Sequence, residues 1–166
     1  MSKTITIEKR TVINKSLDAV WKVSATDFEH IDQWDANVKS SKGSGQAGFD
    51  APVKERTCNL YNGKKMVERF LEFNAEQHNF TYEIAQGLPS FVVSARNTWI
   101  HKKLSADKTE LTMRVTMKVT GILGFIMQVP MKAQMGKVLG KAQEELKHYI
   151  ETGQAHIRKR RMKLRE

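Results

Sequence analysis

Across Thr4 to Ile13 the apolar residues Ile5, Ile7, Val12 and Ile13 are separated by polar ones, the pattern of a strand with one buried face. Val53 to Tyr61 and Lys64 to Phe73 are two further strand-like runs. Asn62-Gly63 between them is the strongest hairpin signal in the chain, because a tight two-residue turn needs positive φ at its centre. Asn79 to Ala85, Phe91 to Lys103 and Glu110 to Thr120 continue the series, broken at Gln86-Gly87-Leu88-Pro89 and at Ser105-Ala106-Asp107-Lys108. With an edge strand near Val38, about seven strands are predicted, joined mostly by hairpins and therefore antiparallel.

The period changes in two places. Asn14 or Ser16 is placed to cap a short helix through Trp21 and Val23, and Asp27 to cap a second carrying Phe28, Ile31 and Trp34. From about Pro130 to Thr152 a long helix is predicted. Met131, Met135, Val138, Leu139, Ala142, Leu146, Tyr149 and Ile150 fall on one of its faces. Lys132, Lys137, Lys141, Glu144, Glu145 and Lys147 fall mostly on the other, with Lys141 and Glu145 spaced to pair across solvent. Gly136 and Gly140 each cost roughly 1 kcal/mol of helix propensity relative to alanine, and read as places where helix and sheet pack tightly. One long helix after a run of sheet must cover that sheet, because each alone leaves an apolar face in water. If the sheet curves around the helix, an interior remains between them.

Composition agrees with one folded domain: 166 residues, 40% hydrophobic and 28% charged. No run approaches the roughly 18 apolar residues of a membrane span. Met-Ser-Lys-Thr-Ile-Thr lacks the apolar stretch of a secretory leader, and the lone Cys58 has no partner for an internal disulfide, so a cytoplasmic location is expected. The net charge is +10, and half of it lies in the last nine residues. Residues 154–166 are therefore read as a basic, solvated, disordered tail following a domain of residues 1–153. Attraction to nucleic acid or an anionic membrane is the lesser reading of that tail, which has no aromatic residue to stack on bases. Gly43, Gly45 and Gly48 spell G-x-G-x-x-G, but Phe49-Asp50-Ala51-Pro52 does not open a helix, so a dinucleotide site is rejected.

The order of these parts resembles a known family. Val12-Ile13-Asn14 with Ala19-Val20-Trp21, Asp27-Phe28 through Trp34, and Val38-Lys39-Ser40-Ser41 carry the likeness, as do Arg56 and Asn62-Gly63. Val67-Glu68-Arg69-Phe70, Phe80-Thr81-Tyr82-Glu83-Ile84 and Gly87-Leu88-Pro89 extend it. Over nearly all of residues 3–152 the chain is similar to the START/Bet v 1-like (SRPBCC) superfamily, nearest to its polyketide cyclase/dehydrase and lipid-transport-like group. The resemblance implies an α+β helix-grip fold: a curved antiparallel sheet around a long C-terminal helix, with two short helices after the first strand. It implies a cavity for an apolar small molecule, since members bind lipids, sterols, hormones or polyketides and a minority do chemistry on them. It also places Glu68 inward, and strand parity then brings Met66 and Phe70 inward; Tyr82 and Ile84 on the next strand likewise face in. Lys39 matches a position that in related hormone receptors meets a ligand carboxylate.

The expected function is binding of a hydrophobic small molecule between sheet and C-terminal helix. Trp34, Met66, Phe70, Tyr82, Ile84, Trp99, Met113 and Met135 are the predicted wall, with Glu68, Lys39 and Arg56 as polar anchors. The alternative is a cyclase or dehydratase using Glu68 and Tyr82 as acid–base groups, against a Glu68 that simply pairs with a cation such as Arg56 or Lys39 or lies near the rim; an adaptor recruited through the basic tail is a third. His30, His78, His101, His148 and His156 are scattered, and no metal or cofactor is expected. Cys58 reads as a small buried apolar residue. Gly121 to Met127 reads as a lid or a membrane-touching patch. Oligomeric state is left open.

Overall fold

The computed structural model describes all of residues 1–166. Seven strands form a single curved antiparallel sheet: β1 (Ser2–Ile13), β2 (Val38–Ser44), β3 (Glu55–Leu60), β4 (Lys65–Asn74), β5 (Asn79–Gln86), β6 (Val92–Ser105) and β7 (Lys108–Thr120). Their order is β1-β7-β6-β5-β4-β3-β2, so β2 to β7 run as a meander and β1 joins β7 from a distance. That last pairing is unbroken from Ser2 opposite Thr120 to Ile13 opposite Thr109. Register shifts fall at Val38/Ser40 in β2, at Val67/Glu68 and Phe70/Glu72 in β4, and at Val92/Ser94 in β6. Such irregularities bend the strand that carries them and sharpen its twist, which helps the sheet to curl. At the β3–β4 turn Gly63 takes φ of 83°, and the Asn62 side chain accepts the Lys64 N–H at 3.0 Å.

Ser16 caps α1 (Leu17–Trp21) by accepting the Ala19 N–H at 3.3 Å. A π-helical turn (Lys22–Thr26) and a 3-10 segment (Phe28–Gln33) follow. Asp27 does not cap the second segment as the sequence suggests; Lys22 takes its carboxylate at 2.7 Å instead. These turns bury Val20, Trp21, Phe28 and Ile31 against one end of the sheet. There Trp21 lies 5.1 Å from Phe73, and Phe28 lies 4.2 Å from Phe70, over a Phe80 that is almost wholly enclosed. That aromatic plug closes one end of the sheet.

After a short helix α2 (Gly121–Ile126), the long helix α3 (Gln128–Thr152) crosses the sheet beside β1. Three polar contacts fix its position: Gln143 donates to the Lys9 carbonyl at 2.8 Å, Lys147 to the Val12 carbonyl at 2.5 Å, and Glu151 accepts the Asn14 N–H at 2.7 Å. Gly153, at φ 73°, ends it in the left-handed conformation common after helices. The tight packing expected at Gly136 and Gly140 is absent. A Cβ on Gly140 meets nothing within 4 Å, and one on Gly136 meets only the Lys9 side chain at 3.8 Å. No helix is long and apolar enough to cross a membrane.

The segment read as a disordered tail is instead a docked helix, α4 (Ile157–Lys163). Lys159 is fully buried, its ammonium donating to the Val38 carbonyl and lying 5.0 Å from the centre of the Tyr61 ring. Arg158 reaches Glu145 at 2.6 Å, Glu144 at 2.8 Å and the Lys141 carbonyl at 3.1 Å. The expected Lys141–Glu145 pair across solvent does not form. Glu145 is 1% exposed, turned inward onto the Ala36 N–H at 2.9 Å and onto Arg158. The reason is electrostatic: a buried carboxylate needs a close partner, and the returning helix supplies one.

Candidate ligand-binding cavity

A cavity of about 870 Å³ lies between the sheet, the Trp34–Val38 segment, α3 and α4. Side chains on successive strand positions point to opposite faces, so each strand contributes alternate residues. β4 gives Met66 and Glu68, β5 gives Tyr82 and Ile84, and β6 gives Ala95, Asn97 and Trp99. β7 adds Met113, Val115 and Met117, and α3 adds Met131, Met135, Val138, Leu139 and Ala142. Most of this wall is apolar, and the flexible methionines suit ligands of varied outline.

Eight of the expected site residues line the cavity: Trp34, Met66, Glu68, Tyr82, Ile84, Trp99, Met113 and Met135. Phe70 shares their face of the sheet but is covered by Phe28, so it belongs to the aromatic plug. Arg56 is buried behind Glu68 rather than in the wall. Lys39 points away from the cavity; its side chain is 55% exposed and pairs with Glu166 at 3.1 Å. Its neighbour Val38 is the residue of this strand that faces in, and alternation sends Lys39 out. None of Gly121 to Met127 contributes to the wall, so this segment does not cover the cavity. Ile122, Phe125 and Ile126 on α2 instead face solvent.

The polar groups fall into distinct sets. Arg56 binds the Glu68 carboxylate through Nε at 2.7 Å and also through Nη2, while Nη1 donates to the Phe28 carbonyl. The guanidinium also stacks 3.7 Å from the centre of the Phe28 ring. Glu68 is thus committed to a buried ion pair. Cys58, 3.7 Å from the same carboxylate, is buried, and that burial pushes its thiol up to about 12. It is no nucleophile at neutral pH.

Asp35 was not anticipated. It is buried on the cavity wall and accepts the Asn37 N–H at 2.8 Å. Burial raises its pKa from the ordinary 3.8 to about 6, and the neighbouring Glu145 and Glu68 push the same way. Tyr82 accepts from the Asn97 amide at 2.9 Å, and burial raises its pKa, so its own hydroxyl hydrogen stays available as a donor. The other Asn97 amide atom, Oδ1, and the Trp99 indole N–H are buried without any hydrogen-bond partner. Leaving a buried donor or acceptor unpaired costs about 1–3 kcal/mol each.

His101 lies outside the cavity. It packs 5.1 Å from Trp21, donates from Nδ1 to the His78 carbonyl at 2.9 Å, and turns Nε2 to the Ser24 hydroxyl at 2.8 Å. Burial lowers its pKa to about 4. No three His, Cys, Asp or Glu side chains converge as a metal site would require.

Sequence reading also missed Asn97, Glu145, the α4 residues Arg158, Arg161 and Met162, and Arg165 in the turn just after them. Asn97 was recoverable, being two residues from Trp99 on the same strand. The α4 residues carry helical spacing, hidden beneath a dense positive charge.

Comparison with known proteins agrees with this layout. The fold matches a START superfamily protein from Mycobacterium smegmatis with a TM-score of 0.73 at 15% identity, covering 88% of this chain and 97% of that one. It matches a norcoclaurine synthase point mutant from Thalictrum flavum, in complex with a transition-state analogue, with a TM-score of 0.71 at 13% identity, covering 90% and 96%. An uncharacterised protein from Bacillus thuringiensis matches with a TM-score of 0.71 at 18% identity, covering 88% and 98%. No curated protein matches the sequence. The family described as polyketide cyclase / dehydrase and lipid transport matches residues 4–151. With that match spanning nearly the whole helix-grip body, the chain belongs to the polyketide cyclase/dehydrase and lipid transport family.

Proposed function

We propose that this protein binds a hydrophobic small molecule carrying a hydroxyl or carbonyl group, held between the sheet and α3. The observation that carries this reading is a cavity of about 870 Å³ with a mostly apolar wall, on which Asn97 and Trp99 each hold a buried polar atom without a partner. A small rotation of either side chain would offer its atom to a ligand hydroxyl, which can accept from the Trp99 N–H or donate to Asn97 Oδ1. Apolar burial then contributes most of the affinity, while these groups set orientation.

Native mass spectrometry before and after organic extraction tests for a co-purifying apolar molecule. In solution, dodecanol is expected to displace bound Nile red saturably. Trp99→Phe, which removes the N–H and keeps a ring, is expected to weaken dodecanol about five- to thirtyfold, the equivalent of one hydrogen bond. Absence of saturable Nile red binding overturns the reading.

Catalysis on the bound molecule is the second reading, and Asp35 favours it. A cavity-facing carboxyl titrating at about 6 has the protonation behaviour of a general acid or base. Glu68 is a weaker candidate, because Arg56 occupies its carboxylate. Turnover that Asp35→Asn abolishes while binding persists would establish an enzyme; turnover unaffected by that change removes Asp35 from the mechanism.

A further inference from the structure

Lys39 is the cation that the family resemblance assigns to an anionic ligand group, and it points away. Besides Arg96 and Lys141, the cavity is lined by a cluster of cations on α4 and the turn after it. Arg158, Arg161 and Met162, three and four residues apart, share one face of α4; Arg165 follows in the turn after the helix, and all four line the cavity. Lys159 anchors the helix from another side through the Val38 carbonyl. Arg158 is consumed by Glu144 and Glu145. Arg161 and Arg165 have no carboxylate within ion-pairing distance, and both remain exposed at the solvent side of the cavity. Among the acids of the wall, Glu68 is matched by Arg56 and Glu145 by Arg158, while Asp35 has no cation paired to it. An incoming anion therefore meets, at the exposed end of the cavity, two guanidiniums with no carboxylate paired to either.

We propose that Arg161 and Arg165 form a headgroup site for an anionic amphiphile: a carboxylate or phosphate monoester at the cavity mouth, with its apolar chain inside. The inference rests on the reading of the cavity as an apolar-ligand site and names the ligand's charged end. Guanidinium forks match the paired oxygens of both anions. Met162, on the same face, offers apolar surface to the first carbons of the chain. α4 is then a strap that completes the cavity, and the cluster of basic residues serves recognition of one small molecule.

The test uses the full chain loaded with Nile red and challenged with dodecanoate, dodecyl phosphate, dodecanol and acetate, all below micelle-forming concentrations. The wild type is expected to bind the two long-chain anions about tenfold more tightly than the alcohol at low salt, a preference that shrinks as salt rises. In R161A/R165A the anions are expected to fall to the alcohol's affinity while the alcohol itself is unmoved. R161K/R165K is expected to keep part of the preference, since it retains charge without the fork. Equal displacement by all three chains in the wild type overturns the headgroup site and leaves the cavity reading standing, as does a preference that survives R161A/R165A. Acetate displacing as well as dodecanoate overturns the amphiphile class. Nile red that does not bind at all overturns the cavity reading itself. Both arginines are exposed, so unchanged thermal unfolding in R161A/R165A shows that the comparison reads binding.

Discussion

Arg56 and Glu68 show how little a residue's type says of its role. Both were legible as polar residues at inward positions of neighbouring strands, and both are inside. A pairing of Glu68 with Arg56 or Lys39 was legible; which of the two, and in what geometry, was not. That depends on the register that sets Arg56 opposite Glu68 and on Phe28 arriving from a different element to stack on the guanidinium. Removing one partner strands a buried charge, so Glu68→Gln is expected to lower stability by about 3–5 kcal/mol, measured by urea unfolding. Replacing both, as in R56L/E68M, is expected to restore most of that loss, because an apolar pair of similar volume needs no compensation. A double variant as unstable as the single one contradicts this account. Any catalytic test that removes Glu68 alone therefore confounds chemistry with folding.

Among the elements, the strands were the most legible. β4 to β7 follow the alternation of apolar and polar positions to within a few residues, because one face of each must be buried whatever the rest of the chain does. α3 was equally clear from its apolar stripe. α4 was hidden, since a run of Arg158, Lys159, Arg160, Arg161 and Lys163 has no apolar stripe and reads as solvated. Its stability comes from partners outside the helix: Glu144 and Glu145 on α3, 14 and 13 residues before Arg158, and the Val38 carbonyl on β2, 121 residues before Lys159. Truncation after Gly153 is expected to destabilise the fold by about 2–4 kcal/mol, since Glu145 stays buried without Arg158. A mobile tail predicts no change. The urea midpoint of the truncated chain decides between them.

At the scale of the whole molecule, two buried groups set opposing responses to pH. Asp35 keeps its proton in the fold up to about 6, whereas the unfolded chain releases it near 3.8. Stability from this group is therefore fullest below 3.8 and is lost as pH rises through about 6. His101 stays neutral in the fold down to about 4, while the unfolded chain takes up a proton near 6.5. Its contribution is therefore lost as pH falls from 6.5 to about 4. The two slopes largely cancel in the wild type. In Asp35→Asn the histidine acts alone, so stability is expected to fall by about 3 kcal/mol from neutrality to pH ~4. The same variant is expected to be about 3 kcal/mol more stable than wild type at pH ~8, because no carboxylate is then forced to ionise inside. Equal stability at that pH shows that Asp35 is solvated. Chemical unfolding across the range measures both.

The sequence by itself determined the helix-grip order of elements, the inward face of each central strand and the apolar stripe of α3. Those follow from local periodicity and from the cost of leaving an apolar face in water, which act on every short window of the chain. Tertiary structure alone decided the fate of the charges. Whether Lys39 meets a ligand, Glu145 meets solvent or the basic C-terminus floats free depends on which groups become neighbours across more than a hundred residues. A charge's energy is set by its surroundings in space, and no window of sequence contains them.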